Sequence, residues 1–560
     1  MVLLIPVAVV LLFIVFCALM TLGEPLNPTR PLMSYDQARE HARKLARMIQ
    51  CRTVSHADSF DDTEFEKLRK VMETTFPLVH RHCRKMTFGD DCWVYLLAGV
   101  HDDRNILLMA HHDVVDGEGA WTHPAFSGKI LDGKLWGRGA VDTKTSLYGI
   151  FAALEELLQV GYFPECNIWI GSSCNEEVAG NGIPLAVEYF REQGITFDLV
   201  LDEGGAVIDP PMPGMICPKC AMVAIHEKGR HRLILKASQE QGHNGLAGGA
   251  KATPTERMAA FITELRNSDL FIRRMTPQLE GMFRAMTPYM NFSMKLIFAN
   301  LWCFRPLLVK QLPKFSAQAG GLLGTTCVFN DIQTQDQGKE CTAKILLRSV
   351  DDADLKQDLL QLEKLAQKHG IEVLEGGESE YHLPADPTLP AFSLVRECIR
   401  TVFPDVPVVP FILPAGTDGR HLTELCPCVL RFAPLRLTAQ QLASVHGKDE
   451  NIDITAIGAC VSFFRCLLKK YASSNEEETS AEELSVEELP EEETLAEEIA
   501  GDEIDWEEIT GEETAGDEIN WEEITGEEIS GEEMNWEELI GDMLAEENTE
   551  EETEHEQSEK

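Results

Sequence analysis

Basic residues are scarce in this chain. Against 93 Asp and Glu stand only 49 Lys and Arg, a formal net charge of −44. No basic patch of the kind that tracks a nucleic-acid backbone stands out, which excludes nucleic acid as the expected partner. The deficit is uneven. From Asn475 onward 38 acids face one lysine, which leaves 55 acids and 48 bases in the residues before it. The body is therefore an ordinary, mildly acidic globular chain carrying an acidic tail. Cysteine is also thin. Sixteen in 560 residues is well below the density of a disulfide-stapled scaffold, so the thiols read as small core residues or free groups. Cys217 and Cys220 form a single CxxC. A zinc ribbon needs a second pair at matching spacing, and none follows; a loop is the better reading. At 560 residues, one domain is too few.

Charge is missing altogether from residues 2–23, and no Lys or Arg precedes them. The stretch is long enough to cross a bilayer and longer than a usual signal core. It reads as an uncleaved membrane anchor, which makes the protein membrane-associated. A signal cut after Gly23, giving a secreted or luminal enzyme, is the alternative. Arg30, Arg39, Arg43, Lys44 and Arg47 all follow the apolar stretch, and the positive-inside rule then keeps the rest cytoplasmic. At the other end, residues 475–560 contain three 15-residue repeats, 501–515, 516–530 and 531–545, with Trp506, Trp521 and Trp536 in register. One aromatic among dense like charge rarely builds a core, so the tail reads as disordered and solvating. The sharper reading is a row of acidic-aromatic docking motifs acting multivalently on an unknown partner.

The body is organised around residues 107–144. An apolar run, Ile106 to Ala110, reads as a buried strand and empties into His111, His112 and Asp113. A glycine-rich loop follows, and a helix is expected from Asp142 to about Val160. Further strands are expected over Val94–Ala98, Asn167–Ile170 and Phe197–Leu201. Helices are expected over Ser34–Ile49, Asp61–Phe76 and Ile183–Gln193. Alternation of strands and helices predicts an α/β catalytic domain with a mainly parallel sheet, 30–226 and 379–472. Polar residues follow three strands in turn: His111 and Asp113, then Glu176 and Glu177, then Asp202 and Glu203. Between 227 and 378 the pattern becomes β-α-β-β-α-β, that of a ferredoxin-like α+β domain, inserted as a lid.

Taken singly, His111, Asp113, Asp142, Glu176, Glu177, Glu203 and His446 are each ordinary capping or hydrogen-bonding residues. Taken together they supply what two-zinc hydrolysis needs: a carboxylate between two cations, a His and a further carboxylate for each, and one free carboxylate as base. Zinc lowers the pKa of a coordinated water to about 7.

The sequence AHHDVV, then W-x-x-x-x-F-S-G, then D-G-x-L-W-G-R-G-A-x-D-x-K, with NEEVAGNG, LDEGG, GTDGRH and VHGKDENI in order, resembles the aminoacylase/carboxypeptidase S/glutamate carboxypeptidase group of dinuclear zinc peptidases. The resemblance spans about 35–470. It implies two Zn2+ per subunit. His111, Asp142, Glu177, Glu203 and His446 match the metal ligands, with Asp142 bridging and Asp202 as an alternative to Glu203. Asp113 matches the residue that orients His111, and Glu176 the general base. His243 matches an oxyanion-stabilising histidine, usually supplied by the partner subunit of a dimer formed through the lid. Arg348 and Thr417, with Asp418 beside it, match substrate-binding positions. The implied activity is hydrolysis of an amide that releases an amino acid with a free carboxylate from N-acyl amino acids or short peptides. The alternative is a retired enzyme serving as a scaffold through its tail. Three departures stand out: Asn175 replaces an Asp before the Glu pair, GHNGLAGGA is looser than the family's Gly-His segment, and 326–340 lacks Asn-Val-x-Pro.

Overall fold

The computed structural model describes residues 4–57, 59–239, 252–315, 317–377 and 379–472. The acidic repeats and His243 lie outside the described residues.

Among the described residues, sixteen strands form three sheets. The first contains β1 (Arg84–Phe88), β2 (Cys92–Leu97), β3 (His101–Met109), β6 (Cys166–Ser172), β7 (Leu199–Asp202), β8 (Val207–Ile208), β9 (Cys220–Glu227), β14 (Val408–Leu413) and β15 (Val429–Arg431). Its order is β1-β2-β6-β3-β7-β15-β9-β14, with β8 beside β9. β6, β3, β7 and β15 run parallel at its centre; β1 and β2 add antiparallel strands at one edge. The sheet is therefore mixed around a parallel middle. Ile106 to Met109 are all buried, as a strand with parallel neighbours on both sides requires.

Helices cover this sheet for reasons visible in their ends and faces. Tyr35–Ile49 starts from Ser34, whose side chain and that of Gln37 cap each other's backbone N–H in a capping box. The helix expected from Asp142 begins at Lys144 instead; Asp142 belongs to the loop before it. Lys144–Gln159 packs on the last helix, Ile454–Ala472, at Gly149, where a Cβ would come within 2.5 Å of Cys460 Sγ. The cysteines are free thiols, and most are buried.

The second sheet contains β10 (Gly229–Ser238), β11 (Thr326–Gln335), β12 (Glu340–Ser349) and β13 (Ile371–Glu375), in the order β11-β12-β10-β13. With helices Pro254–Asn267 and Asp352–Lys368, this is the ferredoxin-like order. Leu235, Ala237, Phe261, Ile345 and Leu362 fill its separate core. The third sheet joins β4 (Lys129–Leu131), β5 (Lys134–Trp136) and β16 (Asn451–Asp453).

One helical region stands outside the expected elements. Between the 254–267 helix and β11 lie helices Pro277–Met286, Phe292–Phe298, Leu301–Phe315 and Ala317–Gly321. Thr276 and Asn291 cap the first two. Two internal prolines, Pro306 and Pro313, interrupt the longest, and its apolar residues lie all round it rather than in one stripe. The N-terminal apolar stretch is helical over Leu4–Met20, 17 residues, or about 25 Å at 1.5 Å per residue. Among the described residues, no single helix is long and apolar enough to cross a membrane.

Candidate metal centre

β6, β3 and β7 are adjacent and parallel, so the residues after each emerge side by side. The ladder continues past β3: Ala110 N–H donates to Gly171 O at 3.2 Å and His112 N–H to Ser173 O at 2.9 Å. Successive side chains alternate faces on extended backbone. His112 turns into the core, stacked on Trp93 at 3.9 Å with Nδ1 beside Ser172 Oγ at 2.8 Å. His111 and Asp113 turn the other way, toward the crevice.

There His111 Nε2 lies 3.1 Å from Asp142 Oδ1, and His446 Nε2 lies 3.1 Å from Asp142 Oδ2. His446 Nε2 also lies 2.9 Å from Glu177 Oε2. Two ligand-competent groups result, His111–Asp142–Glu203 and Asp142–Glu177–His446, each with its donor atoms within 4.8 Å of one another. Asp142 is common to both. Glu203, not Asp202, falls in the first group. The Asp202 carboxylate is already engaged, accepting from Glu203 N–H at 2.9 Å and Gly419 N–H at 2.6 Å. Asp113 sits behind His111, its backbone oxygen 3.0 Å from Nδ1. Its carboxylate accepts from Ser55 Oγ at 2.7 Å and from the backbone N–H groups of Glu176 and Glu177, both at 3.2 Å.

The electrostatics ask for positive charge. Burial, then Asp142 and Asp202, push the Glu203 carboxyl well above the usual range. Burial also raises Glu176 well above it, with Asp418 and Asp113 adding to the shift. Burial opposes charge on His111, but Asp113 and Asp142 outweigh it and raise the imidazole well above its ordinary value. Asp142 and Glu177 carry His446 up to about 10. Three carboxylates and two imidazoles are oxygen and nitrogen donors suited to divalent ions such as zinc. The residues fit a pair of such ions, with one carboxylate reaching both.

The family model described as Peptidase family M20/M25/M40 matches residues 107–470. The chain belongs to this family. The M20 chain is 29% identical over 445 residues to the probable carboxypeptidase S-like 2 of Dictyostelium discoideum, covering 77% of this chain and 85% of that protein. It is 30% identical over 390 residues to the N-fatty-acyl-amino acid synthase/hydrolase PM20D1 of Xenopus tropicalis, covering 67% and 74%. Among solved structures, an M20 family metallo-carboxypeptidase from Sulfolobus solfataricus matches with a TM-score of 0.56 at 18% identity, over 77% of this chain and 99% of that one. Human carnosine dipeptidase 1 matches with a TM-score of 0.52 at 15% identity, over 80% and 100%. At those identities the likeness is one of fold. The enzyme reading therefore stands, and the M20 chain is a metal-dependent hydrolase rather than a retired scaffold.

Thr417, Asp418 and Glu450 lie near the centre, and Arg348 lies on the second sheet. Thr417 N–H donates to Glu227 Oε2 at 2.9 Å, and its buried hydroxyl has no partner among the described residues. Asp418 accepts from Ser173 Oγ, and burial lifts its carboxyl to about 6. Arg348 lies on β12. Burial, then Arg230, lowers its guanidinium. Sequence reasoning missed Glu450, wholly buried. It accepts from the backbone N–H groups of Gly139, Val141 and Asp142 and from Arg138. Its signal was present: an acid four residues after His446, inside VHGKDENI.

Proposed function

We propose that the chain hydrolyses N-acyl amino acids or short peptides, releasing an amino acid with a free carboxylate, and that it does so with two zinc ions. The observation that carries this is Asp142, with one imidazole on each oxygen. His111, Asp142 and Glu203 hold one ion; Asp142, Glu177 and His446 hold the other. Bound zinc supplies a water of lowered pKa and polarises the amide carbonyl. Glu176 takes the proton of the attacking water on its carboxylate and hands it to the departing amine nitrogen. Asp113 orients His111. Arg348 grips the substrate carboxylate through its two-pronged guanidinium, and Thr417 offers its hydroxyl to the same substrate. His243 donates to the developing oxyanion, an interaction of about 3 kcal/mol for one well-placed donor.

The names of the relatives support the substrate class, since one is a carboxypeptidase S-like protein and another an N-fatty-acyl-amino acid synthase/hydrolase. Residues 227–378 act as the lid and pair two copies into a homodimer. Residues 2–23 hold the protein at a membrane, where acyl chains partition. The deciding experiment offers long-chain N-acyl amino acids and dipeptides to the purified zinc-loaded chain. Glu176→Gln is expected to abolish amine release while both metal ions stay bound. Substantial residual turnover would remove Glu176 as the base, and no turnover by the wild type on either panel would remove the activity.

A further inference from the structure

The helical insertion at 277–321 leaves an apolar, basic surface that the hydrolase reading does not use. The N-terminal helix lies along it through one stripe. Ile14 and Ala18 are buried, and Cys17 and Thr21 are half-buried, the i, i+3, i+4, i+7 spacing of a single helix face. Asn300 Nδ2 donates to Ile14 O at 3.0 Å, Lys295 Nζ to Thr21 O at 3.5 Å, and Phe13 packs on Trp302 with centroids 6.1 Å apart. Away from that stripe the same helix presents Val9, Leu11, Leu12, Phe16 and Leu19, with Leu12 70% exposed. The insertion continues the surface with Phe292 and Trp302, 50% and 58% exposed.

Two further observations say what covers it. Residues 292–315 contain Lys295, Arg305, Lys310 and Lys314 and no acid, in a chain of net charge −44. Exposed apolar side chains beside lysines, with a tryptophan among them, suit a lipid interface, where lysine stems snorkel and tryptophan sits at headgroup level. The segment after the N-terminal helix is also not a free leash. Tyr289 Oη donates to Glu24 O at 3.3 Å, Asn27 N–H donates to Pro404 O at 2.8 Å, Glu24 pairs with Arg400, and Thr29 bonds Asp405. Helices 292–298 and 301–314 are bent by 98° at the break between them.

We propose that the N-terminal helix and helices 292–298 and 301–315 form one docking platform for an anionic lipid bilayer, holding the enzyme body against it in a fixed orientation. This rests on the assignment of 2–23 to a membrane, and it adds that the insertion itself touches lipid. Arg305 is paired with Glu280 and Lys295 is held by Thr21 O, which leaves the exposed Lys310 and Lys314 to attract an anionic surface, at about a fivefold gain in partitioning each.

Cys303 beside Trp302 is the single exposed cysteine among the described residues, so it accepts a thiol-reactive fluorophore, with Cys303→Ser as background. The labelled full chain is reconstituted in phosphatidylcholine vesicles with and without phosphatidylglycerol. Flotation reads whether the N-terminal helix enters lipid. Quenching by doxyl groups placed high on the acyl chain reads whether Cys303 meets the bilayer. The expected result is flotation with quenching that deepens with phosphatidylglycerol. The double variant Phe292→Ser, Trp302→Ser is expected to lose quenching while hydrolysing a water-soluble substrate normally. Flotation without quenching overturns the platform and leaves a tether. No flotation overturns both the tether and the platform. Self-association in lipid-free solution that protects Cys303 from labelling, without quenching in vesicles, makes a second copy the occupant and overturns the proposal.

Discussion

Replacing Glu450 by Gln tests whether one buried carboxylate sets both ligand loops. Oε1 accepts from Val141 N–H at 2.7 Å and Asp142 N–H at 3.1 Å; Oε2 accepts from Arg138 Nη1 at 2.9 Å and Gly139 N–H at 3.0 Å. Arg138 in turn donates to Gly447 O at 2.8 Å, next to His446. The pair therefore ties the loop of Asp142 to the loop of His446. Glutamine keeps two of the four acceptor contacts. Its amide nitrogen turns the other two into donor facing donor. An unsatisfied buried donor costs about 1–3 kcal/mol. Arg138 keeps its bonds to Asp116 O and Gly447 O, so the lower part of that range applies to it, and the total loss is about 2–4 kcal/mol. Part appears as stability and part as displacement of Asp142. Misplacing the support of a ligand lowers metal affinity about 10- to 100-fold. Chelator competition at fixed pH measures it, with urea unfolding of the metal-free chain beside it. Wild-type dissociation constants together with wild-type stability would refute the coupling.

Arg348→Ala is expected to raise KM at least tenfold with kcat changed far less, since a charged hydrogen-bonded contact is worth roughly 1.5–3 kcal/mol; unchanged kinetics would remove Arg348 from the substrate site. Three buried or half-buried histidines make part of the stability depend on pH. Burial holds His226, His382 and His421 each down to about 4, with Arg431 or Arg420 adding to it, whereas unfolded histidine titrates near 6.5. At these three positions the unfolded chain binds up to about three more protons between those values, so their contribution to stability is fully present above pH 6.5 and is lost as pH falls toward 4. It runs against the opposite contribution of Asp418, Glu176 and Glu203, whose carboxyls are raised; a slope of the urea midpoint between pH 7 and 5 that is unchanged in the variant His226→Gln, His382→Gln, His421→Gln would contradict this. Deleting 475–560 is expected to leave kcat/KM within about twofold, because every residue assigned to the site precedes it in the sequence; loss of hydrolysis on deletion would give the tail a part in the site.

What the sequence revealed of this chain follows from how far each signal reaches. The parallel centre was legible because Ile106–Ala110, Asn167–Ile170 and Phe197–Leu201 are short apolar runs ending in polar residues, and a buried strand needs no partner in sequence to announce itself. The inserted α+β unit was legible for the same reason. The 277–321 helices were not read: the first two are short, although Leu279, Met282, Phe283 and Met286 keep helical spacing, and the longest carries Pro306 and Pro313 inside with no single apolar stripe. The start at Asp142 failed because Asp is a good first-turn residue, yet here its carboxylate faces two imidazoles and leaves the helix to begin at Lys144. Choosing Glu203 over Asp202 needed three dimensions, since both carboxylates lie at the end of β7. Glu450 was missed because its four contacts lie about 310 residues away in sequence.

The adjacent pair Glu176 and Glu177 raises a question of geometry: how two identical neighbours come to face different things. The answer lies in the backbone rather than in the side chains. Asp113 Oδ1 takes the N–H of Glu176 and Oδ2 the N–H of Glu177, so the chain after β6 curls around one carboxylate. Glu177 then reaches His446 at 2.9 Å, while Glu176 makes no such pairing and feels chiefly its own burial. Asp113 bears on His111 as well, through its backbone oxygen and its carboxylate. Burial alone would raise the Asp113 carboxyl, yet its bonds to His111 and Ser55 hold it below the usual range, so it stays ionised and keeps accepting. One buried anion at the end of β3 therefore sets the orientation of an imidazole and the divergence of two glutamates. The consequence is that the two glutamates are distinguished before any metal binds, because their positions are fixed by hydrogen bonds to the main chain and not by competition for a cation.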